Sequence, residues 1–279
     1  MKCFFSLLGC HIKRSVFSLT FIASTALCTL LMFFFTAEYL NPEQYQTLPG
    51  LHYFLSRIDG KGAVYFVMMI TSFPAAALFY DDWKSGYFKF AIQRAGRVKY
   101  AFSVTISAGI SAAAVMILSY IIFSIFVLAK FPAVTDLDAA TLRERTLGFP
   151  NSGLLYTGNA FLCYLLYFLT KGAMAAFFAI VAVFQSMIIT DKHLTIISPV
   201  LIYILYFSFN FFYILPALAN PFVLFWNGYK LYLVFGGTQE VSLFSPIASV
   251  YPMIFTAVFM IILPLAEAKI LRVKMNKSI

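Results

Sequence analysis

The sequence predicts an all-α integral membrane protein with six transmembrane helices, on the basis of its composition and its apolar runs. Apolar residues make up 62% of the 279 residues and the mean hydropathy is +0.87. Charged residues are only 11%, whereas soluble domains carry about 25%. A soluble core of this size could not bury so much apolar surface, which excludes a water-soluble enzyme. The apolar runs predict one transmembrane domain over residues 1–279.

Six stretches are long enough to cross a hydrocarbon layer of about 30 Å, which takes roughly 20 helical residues. Helices are expected rather than a β-barrel, because these apolar runs are continuous and barrel strands alternate polar and apolar residues. The predicted spans are residues 16–37, 62–80, 100–129, 172–190, 194–213 and 247–266.

The basic residues predict the orientation of these spans. The termini and loops on one side carry the whole net charge of +9, whereas cations and anions balance on the other side. The acidic residues on the basic side are Asp81, Asp82, Asp191 and Glu267. By the positive-inside rule this side is cytoplasmic and both termini are inside. The expected location is a bacterial cell membrane, with an affinity for anionic lipid and none implied for nucleic acid.

The first segment outside the spans, residues 1–15, mixes apolar and basic side chains. Phe4, Phe5 and Leu7 lie in the same short segment as Lys2 and Lys13. This pattern predicts a short amphipathic helix along the inner membrane surface. A basic flank that only fixes the orientation of the first span explains the same pattern equally well.

The densest polar stretch, residues 81–99, reads DDWKSGYFKFAIQRAGRVK and joins the second and third spans. We expect a short cytoplasmic helix here, capped by Asp81 or Asp82 and ended by Gly96. Acidic residues among the cations favour protein docking over a plain lipid-surface helix, although the second interpretation stays open. At helical spacing one side holds Trp83, Tyr87, Phe90 and Ala91, and another holds Asp82, Lys89 and Gln93.

The remaining segments carry packing signals. The first half of the third span is rich in small residues, from Ser103 to Ala114, which predicts burial against another helix. Residues 154–170 are apolar, but only Lys171 and Gly172 separate them from the fourth span, so we expect the fourth helix to extend through them. Residues 215–245 are too apolar for a free loop and too interrupted by proline and glycine for a span. Short re-entrant or interfacial helices are predicted there.

Motifs for catalysis are missing from the sequence. It has no HExxH motif, no Cys/His ligand spacing and no GxxxxGK[ST] loop, so we expect no metal site, no cofactor and no nucleotide hydrolysis in this chain. The predicted spans hold no interior charge, which argues against a proton relay. A polar track on the fifth span is either helix–helix bonding or the lining of a substrate path. Its residues are Tyr203, Tyr206, Asn210 and Tyr213.

The order of these parts resembles the type-2 permease subunits of ABC exporters. The local similarity is in DDWKSGYFKFAIQRAGRVKY, where an acidic residue, a glycine and an apolar stretch lead to a basic turn before the third span. The residues that carry it are Asp82, Gly86, Arg94, Gly96 and Arg97. The topological resemblance extends over the whole chain.

The resemblance implies a subunit without its own enzymatic activity. Two copies, or this chain and a related permease, would frame a path for an amphipathic cargo such as a peptide, a lipid or a drug-like molecule. A separate cytoplasmic ATPase, which holds the ATP and Mg, would dock on the helix over 81–97. The implied coupling residues are Asp81, Asp82, Trp83, Gly86, Tyr87, Phe90, Arg94 and Arg97.

Two other classes of protein remain open. A membrane partner that transports nothing, such as an immunity or sensor subunit, could have the same shape. An intramembrane enzyme would need a polar catalytic group facing a wet cavity. Transport by the chain together with an ATPase separates these alternatives from a permease.

Overall fold

The computed structural model describes residues 2–44, 48–60, 63–134, 158–189 and 247–277. All regular elements in these residues are helical. The fifth predicted span, its polar track and the predicted re-entrant segment lie outside them. The helices are α1 (Lys2–Val16), α2 (Leu19–Thr36), α3 (Leu51–Gly60), α4 (Ala63–Thr71), α5 (Phe73–Lys84), α6 (Tyr87–Ala95), α7 (Arg97–Leu128), α8 (Ala160–Ser186) and α9 (Ile247–Lys277), with short 3₁₀ turns at Ala37–Tyr39 and Pro42–Gln44.

Three of the described helices are long and apolar enough to cross a membrane. They are α2 with the turn that follows it (Leu19–Tyr39), α7 and α8. These helices overlap the first, third and fourth predicted spans, although α8 (Ala160–Ser186) begins well before the predicted 172–190. The sixth predicted span lies within α9, which has 31 residues.

A serine cap separates α1 from the first of these helices. The Ser18 hydroxyl accepts a hydrogen bond from the backbone N–H of Phe21 at 3.1 Å, which satisfies one of the free donors at the start of α2. The same hydroxyl donates to the Ser15 carbonyl at 2.7 Å. Residues 2–16 therefore form a helix of their own, as the amphipathic pattern predicts.

The second predicted span is not one continuous helix. α4 ends at Thr71, and α5 begins at Phe73 with Pro74 in its first turn. Proline has no N–H to donate and is favoured at the start of a helix. The Ser72 hydroxyl and the Ser72 backbone N–H both donate to the Met69 carbonyl, at 2.7 and 3.2 Å. The prediction of one continuous helix over residues 62–80 is thus wrong, although the two parts of this segment, α4 and α5, are both helical.

α7 is the central helix, and it packs against all the other helices that the structure describes. Its small-residue half is buried, as predicted: Ser103, Ser107 and Ala112 are each 0% exposed. The terminal methyl of Met260 on α9 occupies the space that a side chain on Gly109 would fill. Small residues thus allow α9 to approach α7 closely.

α8 runs without a break from Ala160 to Ser186, so residues 160–170 continue the fourth helix as predicted, whereas residues 154–157 of the predicted extension lie outside the described residues. Lys171 is 8% exposed, and its ammonium lies 5.2 Å from the centre of the Tyr167 ring. A cation therefore lies inside a helix that is apolar enough to span a membrane. The predicted span 172–190 left it out because it began one residue later.

The described segments among those predicted to be cytoplasmic meet at one end of the helical bundle, and the predicted loop at Asp191 lies outside the described residues. At this end of the bundle α1 contacts α5 and α6, and Lys274 of α9 lies over the Trp83 ring at 4.6 Å. We call this the α6 end. At the opposite end α3 packs on the residues after α7: the Leu51 N–H donates to the Pro132 carbonyl at 3.1 Å, and the Phe54 and Phe131 rings are 4.6 Å apart.

Two glycines with positive φ lie at the two ends of α6. Gly86 precedes it with φ 73° and ψ 0°, and Gly96 follows it with φ 83° and ψ 154°. Asparagine tolerates the first conformation, whereas the second is essentially restricted to glycine. The termination at Gly96 confirms the sequence prediction.

We expect Gly96→Ala to destabilise the protein by about 1–3 kcal/mol, because alanine strains this backbone conformation. No atom lies within 4 Å of a Cβ at residue 96 or 86, so steric crowding does not add to this cost. Gly86→Asn should lose less stability than Gly96→Ala, and Gly9→Ala within α1 should lose none. Chemical unfolding followed by circular dichroism measures all three. Equal losses for Gly96→Ala and Gly9→Ala would contradict the assignment of strain to Gly96.

Candidate functional site

The predicted cytoplasmic helix is an elbow made of two helices. α5 continues through Asp81 and Asp82 to Lys84, and α6 begins only at Tyr87. The Ser85 hydroxyl donates to the Asp81 carbonyl at 2.7 Å and closes the last turn of α5. The prediction that Asp81 or Asp82 caps the following helix is therefore wrong, since Ser85 and Gly86 interrupt the chain after them. The predicted common face of Trp83, Tyr87 and Phe90 is lost for the same reason.

α6 has one buried and one exposed side. Phe88, Ala91, Ile92 and Ala95 are buried. The exposed side holds Tyr87, Lys89, Phe90, Gln93 and Arg94, and we call it the α6 face. Phe90 is 65% exposed and Tyr87 is 38% exposed. An exposed aromatic surface flanked by cations is a composition found at protein–protein interfaces.

Asp82 lies inside the structure rather than on the α6 face. It is 0% exposed. Arg14 Nη1 of α1 donates to its Oδ1 at 2.7 Å, and Tyr100 Oη of α7 donates to its Oδ2 at 2.8 Å. One carboxylate of α5 thus connects the N-terminal helix with the central helix. Charge-assisted hydrogen bonds of this length are the strong ones in proteins.

His11 completes this buried cluster. Its Nε2 lies 3.6 Å from Asp82 Oδ2, and its Nδ1 lies 3.2 Å from Ser103 Oγ. Its ring meets the Tyr100 ring edge-on at 5.7 Å between centroids. Burial lowers the pKa of His11 below its ordinary value of 6.5, an effect that Asp82 opposes and Arg14 reinforces.

Trp83 is also engaged within the chain. Its ring stacks on the Phe88 ring with centroids 4.5 Å apart, and the Lys274 ammonium lies over the ring at 4.6 Å from its centre. A tryptophan held between α6 and a cation of α9 positions the elbow. Its predicted role as an anchor for another protein does not match this internal packing.

The structure therefore divides the predicted coupling residues into two groups. Asp81, Tyr87, Phe90 and Arg94 are exposed, and Arg97 is partly exposed at the start of α7. Asp82 and Trp83 instead hold the elbow against the other helices, and Gly86 forms its turn.

Sequence reasoning missed four residues of this region, which are His11, Arg14, Tyr100 and Lys274. The spacing of His11 and Arg14 at i and i+3 placed them on one side of α1. An acidic residue among many cations indicated that a partner was needed for Asp82. Their pairing over 68 residues of chain had no local signal.

No group of three or more His, Cys, Asp or Glu side chains that could hold a metal ion occurs in the described part of the chain.

The chain matches no protein-family model, no curated protein and no solved structure. Function is therefore inferred from the geometry of the α6 end.

We expect Asp82→Ala to destabilise the protein by about 2–4 kcal/mol, because it leaves the Tyr100 hydroxyl buried without its acceptor and Arg14 without its carboxylate. Asp81→Ala is the matched control, since Asp81 is the preceding residue and is exposed. Its effect should be within about 0.5 kcal/mol. Denaturant unfolding in one detergent compares the two variants, and equal losses would contradict an anchoring role for Asp82.

Acidification should loosen α1. Because burial lowers the pKa of His11, the neutral ring stabilises the packed position of α1 at pH values above the ordinary pKa of 6.5. This stabilisation is lost as the pH falls through the lower pKa of the packed state. Amide hydrogen-exchange protection of α1, corrected for the intrinsic rate, should therefore fall as the pH is lowered below 6.5, while α2 keeps its protection. His11→Gln should flatten this dependence. An unchanged pH profile in that variant would exclude His11 as the cause.

Proposed function

We propose that this chain is the membrane-spanning permease subunit of an ATP-driven exporter of the ABC type. In this proposal it has six transmembrane helices, cytoplasmic termini, α1 at the inner membrane surface and re-entrant helices before the last span. It lies in a bacterial cell membrane and pairs with a second copy or a related permease. The ATPase that holds ATP and Mg is a separate cytoplasmic subunit.

The observation that carries the proposal is the α6 face. A nine-residue helix lies between α5 and the 32-residue α7 and exposes Tyr87 and Phe90 beside Arg94. A helix that only binds lipid needs apolar side chains that enter the membrane and basic residues around them. The aromatic side chains are instead suited to a groove on a protein, and Arg94 and Arg97 to the acidic rim of that groove.

The internal contacts of the elbow would transmit a movement of α6 to the other helices. α6 joins α7 through Gly96, and Asp82 holds the preceding helix to α1 and α7. Since α7 packs against every other described helix, a displacement of α6 is transmitted to the bundle. Closure of the ATPase pair would thus shift the permease between inward-open and outward-open states. Coupling of this kind typically needs about 1–3 kcal/mol.

The cargo path of this proposal runs along Tyr203, Tyr206, Asn210 and Tyr213. The aromatic richness of the chain, with 33 Phe and 17 Tyr, suits an amphipathic peptide, lipid or drug-like molecule.

We expect Phe90→Ala combined with Arg94→Glu to weaken ATPase binding at least tenfold, because the pair removes an aromatic anchor and reverses an adjacent charge. The partner is the GxxxxGK[ST]-containing ATPase that copurifies with the chain, and its affinity is measured on the chain in lipid nanodiscs. Arg94→Glu with Arg97→Glu should act in the same direction.

Lys269→Glu with Arg272→Glu is the control, because both residues are exposed on α9 and the charge change is the same as in the arginine pair. This variant should bind the ATPase like the wild type. Equal binding by all variants would remove the docking role of α6. ATP-dependent transport by the reconstituted pair distinguishes a permease from a partner that transports nothing, and transport by the chain alone would refute the proposal.

A further inference from the structure

Glu267 on α9 is a buried carboxyl group that the proposed docking function does not use. It follows the predicted sixth span by one residue and is 0% exposed. Thr105 Oγ1 of α7 donates a hydrogen bond to its Oε2 at 2.7 Å. Its other oxygen, Oε1, is buried and has no hydrogen-bond partner in the part of the chain that the structure describes.

The helices around this carboxyl group pack closely. Seven residues before Glu267, Met260 fills the space over Gly109 of α7. On the α8 side, the Thr256 hydroxyl donates to the Ala173 carbonyl at 3.0 Å, and the Phe259 and Phe177 rings are 5.2 Å apart. α9 therefore packs on both α7 and α8, and Glu267 is fully buried between them and its own helix.

Within the described ranges, no nearby cation forms an ion pair with Glu267. Lys269 and Arg272 of α9 are exposed, Lys274 lies on Trp83, and Lys171 of α8 lies near the level of Thr256, eleven residues before Glu267. On α7, Lys99 lies six residues before Thr105 and is exposed. Burial raises the pKa of Glu267 to about 8, and the Thr105 hydrogen bond opposes part of this rise. An unpaired charge at such a position is costly, so the carboxyl takes up a proton instead.

We propose that Glu267 is a proton-binding site in the interface of α7 and α9. The carboxyl holds a proton while these helices are packed together, and it releases the proton when they separate and water reaches it. Thr105 can bond to both forms, since a hydroxyl donates to a carboxylate and accepts from a carboxylic acid, but its bond to the charged form is the stronger one. This inference does not rest on ATPase docking and would survive its failure.

The direction of the pH effect follows from linkage. The packed state binds the proton more tightly than the separated state, whose carboxyl has an ordinary pKa near 4.5. The packing of α7 against α9 is thus most favourable at pH values below the ordinary pKa of 4.5, and it weakens as the pH rises through about 8. Proton release and separation of α7 from α9 favour each other reciprocally.

Infrared spectroscopy of the full chain in lipid nanodiscs tests the site, because a protonated carboxyl has a carbonyl stretch that a carboxylate lacks. We expect this band at pH 6 and its loss by about pH 10, with a midpoint near pH 8. Glu267→Gln should remove the band at every pH. Glu43→Gln, at an exposed position, should leave it unchanged.

Thr105→Val provides a second measurement. It removes the hydrogen bond that favours the charged carboxylate, so the midpoint of the band should move to higher pH. Thermal unfolding should show a wild-type stability that declines between pH 6 and pH 9, and Glu267→Gln should flatten the decline.

Three results would overturn the proposal. They are the absence of the band in the wild type at pH 6, its persistence in Glu267→Gln, and a wild-type stability at pH 9 that sodium chloride raises but potassium chloride does not. The last result would mean that the site binds a metal cation rather than a proton.

Discussion

The arrangement of the α6 end depends on the hydrogen bonds of one buried carboxylate. A charged Asp82 is costly away from water unless donors surround it, and Arg14 and Tyr100 supply them at 2.7 and 2.8 Å. Because these donors come from α1 and α7, satisfying the charge brings three helices together. The same contacts hold α5 in the position from which the chain turns into α6.

The two positive-φ glycines give the elbow its shape once this anchor is in place. Gly86 turns the chain after α5, and Gly96 turns it again into α7. The nine residues between them bury Phe88 and Ile92 and expose Phe90 and Arg94. An anchored inner side and an exposed outer side follow from the same short amphipathic sequence. This division is the physical basis of the proposed docking role.

Local patterns predicted much of the fold. The small residues of α7 indicated close packing, and Ser103 and Ala112 are buried as expected. The end of α6 at Gly96 and the continuity of α8 through Lys171 were also predicted correctly. Residues 62–80 were predicted as one span because apolar composition continues across Ser72, and Pro74 was the one residue that indicated a possible kink there. Within the candidate site, Phe90 and Arg94 are exposed, but Asp82 and Trp83 are engaged inside the chain.

Composition and hydropathy by themselves determined that the chain is helical and apolar enough for a membrane, and which segments are basic. These properties are sums over neighbouring residues, so a single sequence contains them. Only the tertiary structure decided which acidic side chains face water. Asp82 and Asp81 are adjacent and chemically identical, yet one meets Arg14 and Tyr100 while the other is exposed. Glu267 likewise owes its environment to Thr105, 162 residues away, because the free energy of a charge depends on its spatial neighbours.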